Sequence, residues 1–346
     1  MTVLSKPTML NALNRRHALG FVAAGAVAMP FITHGEEARV STATPFAKGD
    51  IIVAATVMDN PDDDHAGTGR LLQYDANLNL KGTLWIKSTK HKLSGLTFGP
   101  DKTLYGFAPL NHSVIEIDPS AKERPVFQFA DRPFSNISFA KDGTILFGEH
   151  LVGTKTESKY VSTKLPLIKG RNVVGDGHIY RFSKDRKLID EYATAVHGGM
   201  EGYHGVTSTV LADNDTRAIY ISETGNRILQ YDLKNKKQLP DLAEFKDDPR
   251  VRFLLWMTRI TDNSLLAITG ASLVTIDQNT GAILREYKMG TFGWAAATPS
   301  IDGQHILTGN FMDGDVAKVS VADGSIVAKA NIGEQRSLSG IAQFPG

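Results

Sequence analysis

The stretch "IYISETGNRILQYDL" occupies residues 219–233, and its second half, "ILQYD" at 228–232, has five counterparts. They are "LLQYD" (71–75), "VIEID" (114–118), "IYRFS" (179–183), "LVTID" (273–277) and "VAKVS" (316–320). Each reads apolar, apolar or small, polar, apolar, then Asp or Ser. The steps between them are 43, 65, 49, 45 and 43 residues, so one unit is copied six times and one copy carries a long insertion. Two further apolar runs precede each copy, as "SGLTFGP" and "TLYGFAP" precede "VIEID" around the turn "GPDKT" (99–103). The matching turns elsewhere are "KDGT" (141–144), "TDNS" (261–264) and "IDGQ" (301–304). Asp-Gly and Asp-Asn suit tight turns because they tolerate positive φ. Beyond each copy come a polar turn such as "DQNTG" or "VADGS" and a fourth run such as "ILREYKM".

Four short antiparallel strands per roughly 45 residues, repeated, is the pattern of a β-propeller blade. The expected fold is all-β: a six-bladed propeller of four-stranded blades spanning 49–346. The first copy has only three strands of its own, "DIIVAAT", "RLLQYD" and "LKGTLWI". Its missing innermost strand is expected from the other chain end. There "SLSGIAQF" (337–344) repeats the phrase "KLSGLTF" (92–98) that opens the second copy. Sharing one blade between the chain ends closes the ring and removes open strand edges. A seventh blade hidden in the 150–178 insertion is left open, although that segment lacks the recurring strand.

The pattern resembles six-bladed propellers of the NHL, gluconolactonase and strictosidine-synthase-like group, chiefly through "IYISETGNRILQYDL": strand, polar bend with Asn, Arg-Ile, then a Tyr-Asp end. Such a motif specifies fold far better than chemistry.

Composition narrows the class. The chain has 346 residues, 42% apolar and 22% charged, with a formal net charge of +1. No basic block follows the leader, so nucleic acid is not an expected partner. Cysteine is absent, which excludes disulfides, thiolate ligands and a cysteine nucleophile. At the start, "NRRHALGFVAAGAVAMP" (14–30) sets Arg15 and Arg16 before a weakly apolar run. That run is too short to span about 30 Å of hydrocarbon, so no stable membrane span is expected in the mature chain. It resembles a twin-arginine export signal. The resemblance implies a signal peptide over 1–28 with a cleavage site at Ala26-Val27-Ala28, a flexible mature start over 29–48, and periplasmic delivery after folding.

In a propeller, the loops joining strands two and three share one rim with the blade-to-blade loops. Here that set is long: "VMDNPDDDHAGTG" (57–69), the insertion 150–178, "VHGGMEGYHG" (196–205) and "KDDPRVRFLLW" (246–256). Of the eight histidines within 49–346, His65, His91, His112, His150, His178, His197 and His204 fall on this rim, and His305 on the other. Histidine is the commonest metal ligand and neutral-pH acid/base, so this rim is the expected functional face. Nearest the axis stand Asp59, His91, Asn111, Glu149, His150, His204, Glu223 and Asn310, at strand ends. Glu149, His150 and His204 are the candidate catalytic residues. The gluconolactonase resemblance implies a divalent cation held by oxygen donors, for which Glu149, Asn226, Asn310 and Asp59 are the matching types; with His91 and His204 they form the candidate metal set. Oxygen donors suit Ca, Mg or Mn, whereas a histidine-rich centre favours Zn, Cu or Fe. Two functions stay open: a metal-dependent enzyme of the lactonase or hydrolase type acting on a small molecule, and a non-catalytic propeller that binds a ligand or protein partner on its rim.

Overall fold

In the computed structural model, residues 39–89 and 92–346 are described. The export signal, its cleavage site and His91 therefore lie outside the described residues. From Val40 to Gly346 the chain forms one compact unit. Among the described residues the regular structure is all β, apart from one 3-10 turn at Pro109–Asn111. No described helix is long and apolar enough to cross a membrane.

Blade 1 takes its first strand, Gly340–Gln343, from the C-terminus and follows it with Ile51–Asn60, Asp63–Tyr74 and Leu80–Trp85. The register is direct, with Ile51 opposite Gln343 and Ala54 opposite Gly340. Blade 2 has Ser94–Phe98, Leu104–Ala108 and Ser113–Ile117, and bridges from Val114 to Phe127 and Ile117 to Glu123 mark its outer edge. Blade 3 runs Phe134–Phe139, Ile145–Glu149, Ile179–Phe182 and Leu188–Tyr192. Blade 4 runs Ser208–Ala212, Arg217–Ile221, Arg227–Asp232 and Lys237–Glu244. Blade 5 is Trp256–Thr261, Ser264–Ile268, Ser272–Asp277 and Ile283–Lys288. Blade 6 is Trp294–Pro299, His305–Asn310, Asp315–Ser320 and Ile326–Asn331. All pairings are antiparallel, and the first strands of successive blades lie side by side in a closed cycle of six.

The second strand of each blade from 2 to 6 is buried along nearly its whole length because both its faces meet a neighbouring blade. Leu266, Ile268 and Leu273 of blade 5 pack on Trp294, Ile306 and Ala317 of blade 6. Phe134, Phe147 and Phe182 of blade 3 pack on Tyr105, Phe107 and Val114 of blade 2. Each blade-to-blade seam holds one such cluster. The expected turns form as read: Gly143 takes φ +81° while Asp142 Oδ1 accepts the Thr144 amide at 2.9 Å.

The structure departs from the sequence reading in the first hairpin, and it closes the question of a seventh blade. Residues 57–69, expected as a loop, continue the first hairpin: Val57 pairs with Thr68, Met58 with Gly67 and Asn60 with Asp63. Backbone pairing runs through the acidic stretch, whose Asn60 and Asp63 side chains accept the amides of Asp62 and His65 at 3.0 Å each; Gly67 is required, since a Cβ there would lie 2.3 Å from the Val57 carbonyl oxygen. The 150–178 insertion is no seventh blade. It forms a two-stranded piece, Val152–Gly153 with Gly175–Asp176, over a small core of Leu151, Leu165, Val174 and Tyr203. Within 39–48, the described part of the mature start, Thr42 N donates to Thr83 O at 2.7 Å and Phe46 N to Pro119 O at 2.8 Å.

Candidate functional site

The six described rim histidines divide into two groups. His112, His178 and His197 have structural work. His112 Nδ1 lies 2.7 Å from Asp131, and His178 Nδ1 lies 2.6 Å from Glu191. His197 accepts the Gly199 amide at Nδ1 (3.0 Å), so its Nε2–H faces the Ser222 carbonyl at 3.1 Å. His305 sits at the opposite rim, 2.9 Å from Asp302.

His65, His150 and His204 form the second group. His150 follows the second strand of blade 3, and His204 precedes the first strand of blade 4. A bridge between Leu151 and His204 draws the two loops together, and the imidazole centroids stand 5.5 Å apart. Glu223, just past the second strand of blade 4, completes a set whose donor atoms with His150 and His204 all lie within 4.8 Å of one another. His204 Nδ1 faces the Glu223 carbonyl oxygen at 3.2 Å. A carbonyl only accepts, so the proton sits on Nδ1 and the Nε2 lone pair is left for a ligand. Gly199 makes the space: a Cβ there would lie 2.5 Å from His204 Nδ1. His150 Nδ1 is buried with no hydrogen-bond partner among the described residues. Burial, with the nearby charges of His204, Lys92 and His65, holds the His150 imidazole well below its ordinary pKa and therefore neutral. Burial and then Lys92 push His65 down as well, against the pull of Asp64 and Asp63.

The extended hairpin of blade 1 carries His65 to this centre, and the insertion clasps it. Asp63 Oδ2 accepts from Ser162 Oγ (2.6 Å), Thr163 N (2.7 Å) and Thr163 Oγ1 (2.8 Å). Burial alone raises that carboxyl, but these bonds overcome it and hold its pKa at about 2.

Of the residues chosen from sequence, His150 and His204 meet, and Glu149 does not join them. Neighbours on a strand point to opposite faces, so Glu149 turns inward. Its carboxylate, 0% exposed, accepts from Arg132 Nη1 (3.2 Å) and from the amides of Asp176 (2.9 Å) and His178 (3.3 Å). Asp176 is paired in turn with Arg132 and Arg171. The nearby group of Asp176, His178 and Glu191 is thus an ion-pair network with its carboxylates already committed. Asn310 is also committed: Oδ1 accepts the amides of Met312 (2.8 Å) and Asp313 (3.1 Å), and Nδ2 donates to Phe292 O at 3.1 Å. Asp59 is exposed near the hairpin tip and joins no His/Asp/Glu cluster among the described residues, and Asn226 is half-buried with its backbone carbonyl accepting the Phe245 amide at 2.9 Å. Glu149 and Asn310 of the oxygen-donor set are thus held by other partners, and the cluster of potential ligands nearest the predicted residues is the histidine-rich His150, His204 and Glu223. Glu223 was legible as an axial strand-end residue, and His65 as a rim histidine. Lys92 gave no signal, because one lysine before a strand is ordinary.

No protein-family model matches the chain, and no curated protein matches it. Solved structures do. A chain from a crystal structure of a nidogen/laminin complex is 12% identical and aligns with a TM-score of 0.56 over 85% of this chain and 97% of that one. The WD40 β-propeller domain of Doa1 is 13% identical, with a TM-score of 0.54 over 86% and 92%. Virginiamycin B lyase from Staphylococcus aureus is 14% identical over 71% of each chain, with a TM-score of 0.44. At such identities what the chain shares with the first two is the fold alone, and the chemistry has to be read from its own rim.

Proposed function

We propose that this chain is an exported, metal-dependent enzyme of the hydrolase type that acts on a small molecule at the His150/His204/Glu223 centre. The observation that carries the proposal is the convergence of two imidazoles and a carboxylate within 4.8 Å, one imidazole nitrogen being buried and unpartnered. Two imidazoles and one carboxylate suit Zn or Fe better than Ca or Mg. When bound, such an ion supplies Lewis-acid polarisation of a carbonyl and a water of lowered pKa. His150 and His204 would offer ring nitrogens to the ion, with His204 oriented by the Glu223 carbonyl. His65 stands beside them to hold or pass a proton, and the clasped hairpin and insertion limit access of bulk water.

Purified protein is expected to bind about one equivalent of Zn or Fe(II). Outer-shell substitutions at metal sites cost about 10–100-fold in affinity, so loss of a direct ligand in His150→Ala or His204→Ala should cost more. His305→Ala, at the far rim, should cost nothing. Calorimetric titration of the three variants checks this, and undiminished affinity in both rim variants would remove the centre. Turnover of lactone or ester panels by the metal-loaded protein tests the hydrolase assignment. Metal binding without turnover favours the second reading, a ligand- or protein-binding rim, which the exposed Tyr160 and Met200 support.

Export is inferred from "NRRHAL" (14–19). Replacing Arg15 and Arg16 by Lys keeps the charge and removes the guanidinium pair. Precursor should then accumulate in the cytoplasm, as fractionation and immunoblotting would show; undiminished periplasmic delivery overturns the twin-arginine route.

A further inference from the structure

Lys92 reaches the same rim from the segment just ahead of Ser94–Phe98. Its ammonium makes no hydrogen bond among the described residues. Its nearest charge is Asp64 Oδ2 at 4.0 Å, its side chain is 25% exposed, and it stands 4.3 Å from the centroid of the Phe311 ring. Asp64 is shared: it also lies 3.8 Å from Arg336 and 4.0 Å from His65. The other carboxylate of the hairpin, Asp63, is spent on Ser162 and Thr163. Two cations, Lys92 and Arg336, thus share one carboxylate, and a metal ion at the nearby centre would add further positive charge. A lysine with free donors in such a place calls for an anion.

The wall behind it is apolar. From Phe311, whose amide donates to Gly293 O at 2.7 Å, the surface runs to Met312 and Phe292, which are 41% and 53% exposed. Phe292 packs edge-on against Phe253 with centroids 6.0 Å apart. Exposed aromatic groups gathered beside a polar centre mark ligand surface more often than they occur by chance.

We propose that the site takes a small amphipathic anion, a carboxylate or a phosphate monoester, with its charged group at Lys92 and its apolar body along Phe311, Met312 and Phe292. This rests on the proposed function in naming the substrate class of the same rim, but its test does not require the metal. Calorimetry of the full chain, with and without added Zn, would compare acetate, hexanoate, octanoate, hexyl phosphate and the neutral hexanol. Octanoate should bind more tightly than hexanoate by about 2–4-fold per added methylene, and hexanol should bind at least about 10-fold more weakly than hexanoate once the charge-assisted bonds are lost. The tighter of hexanoate and hexyl phosphate identifies the headgroup. Lys92→Met should weaken every anion about 10-fold or more and leave Zn affinity intact, with Lys92→Arg restoring most of the binding. Phe311→Ser should flatten the dependence on chain length while the protein stays folded by circular dichroism. Equal binding of hexanol and hexanoate, or anion affinity unchanged in Lys92→Met, overturns the proposal. Failure to bind Zn with Lys92-dependent anion binding retained overturns the metal-centre reading and leaves this one standing.

Discussion

A chain ending at Arg336 is expected to lose most of its stability. The deleted segment supplies the first strand of blade 1 and feeds two seams at once. Leu338 and Ile341 pack between blades 6 and 1, whereas Ala342 and Phe344 pack between blades 1 and 2. Ser337 exchanges hydrogen bonds with the Thr56 backbone, and Gln343 holds Ser300 and Gly49. Burial of a large apolar side chain stabilises by about 1.5–3 kcal/mol, so losing Leu338, Ile341 and Phe344 should cost on the order of 5–9 kcal/mol before any strand hydrogen bond is counted. A domain is typically stable by only about 5–15 kcal/mol. The truncated protein should therefore be largely unfolded at 25 °C, and a synthetic peptide of residues 337–346 should partly restore it. Circular dichroism melts decide the matter: a truncated protein that melts with the intact one contradicts closure through the shared blade.

Glu149→Ala is expected to destabilise the fold while sparing metal binding. Removing the carboxylate leaves the Arg132 guanidinium with Asp176 alone and strands the amides of Asp176 and His178 in a site without solvent. Breaking a buried ion pair from one side costs about 3–5 kcal/mol. Burial pushes the Glu149 carboxyl up despite Arg132, so the neutral form is tolerated there. Glu149→Gln, neutral and of the same shape, should accordingly lose only about 1–2 kcal/mol. Denaturant midpoints at constant m-value give both figures. The contrast with His204→Ala, which should lose the metal and keep the fold, separates a structural carboxylate from a ligand. An alanine variant that melts normally but no longer binds metal would return Glu149 to the centre.

The distinction between Glu149 and His150 shows where reading the sequence stops. Strand, turn and repeat are local properties. The alternation of "ILQYD" and its copies, the Asp-Gly turns and the echo of "KLSGLTF" in "SLSGIAQF" each depend on residues a few positions apart. They were enough to give the blades, the order of strands and the closing strand. They also assigned the histidines to a rim, because a rim is fixed by a residue's place between numbered strands.

Only the tertiary structure decided which rim residues meet. Glu149 and His150 are neighbours in the chain, yet a half-turn of the strand sends one to Arg132 and the other to His204. His150 and His204 are 54 positions apart and belong to different blades, and a single bridge at Leu151 brings their loops together. His65 reaches the same centre because blade 1's hairpin continues past the expected loop start, an extension carried by backbone pairing that no side-chain pattern announces. Lys92 became legible only once Asp64, Phe311 and the imidazoles stood around it. Periodicity encodes which face of its own strand a side chain takes, whereas distances across a ring are set by how six separately encoded blades pack, and those distances are what make a site.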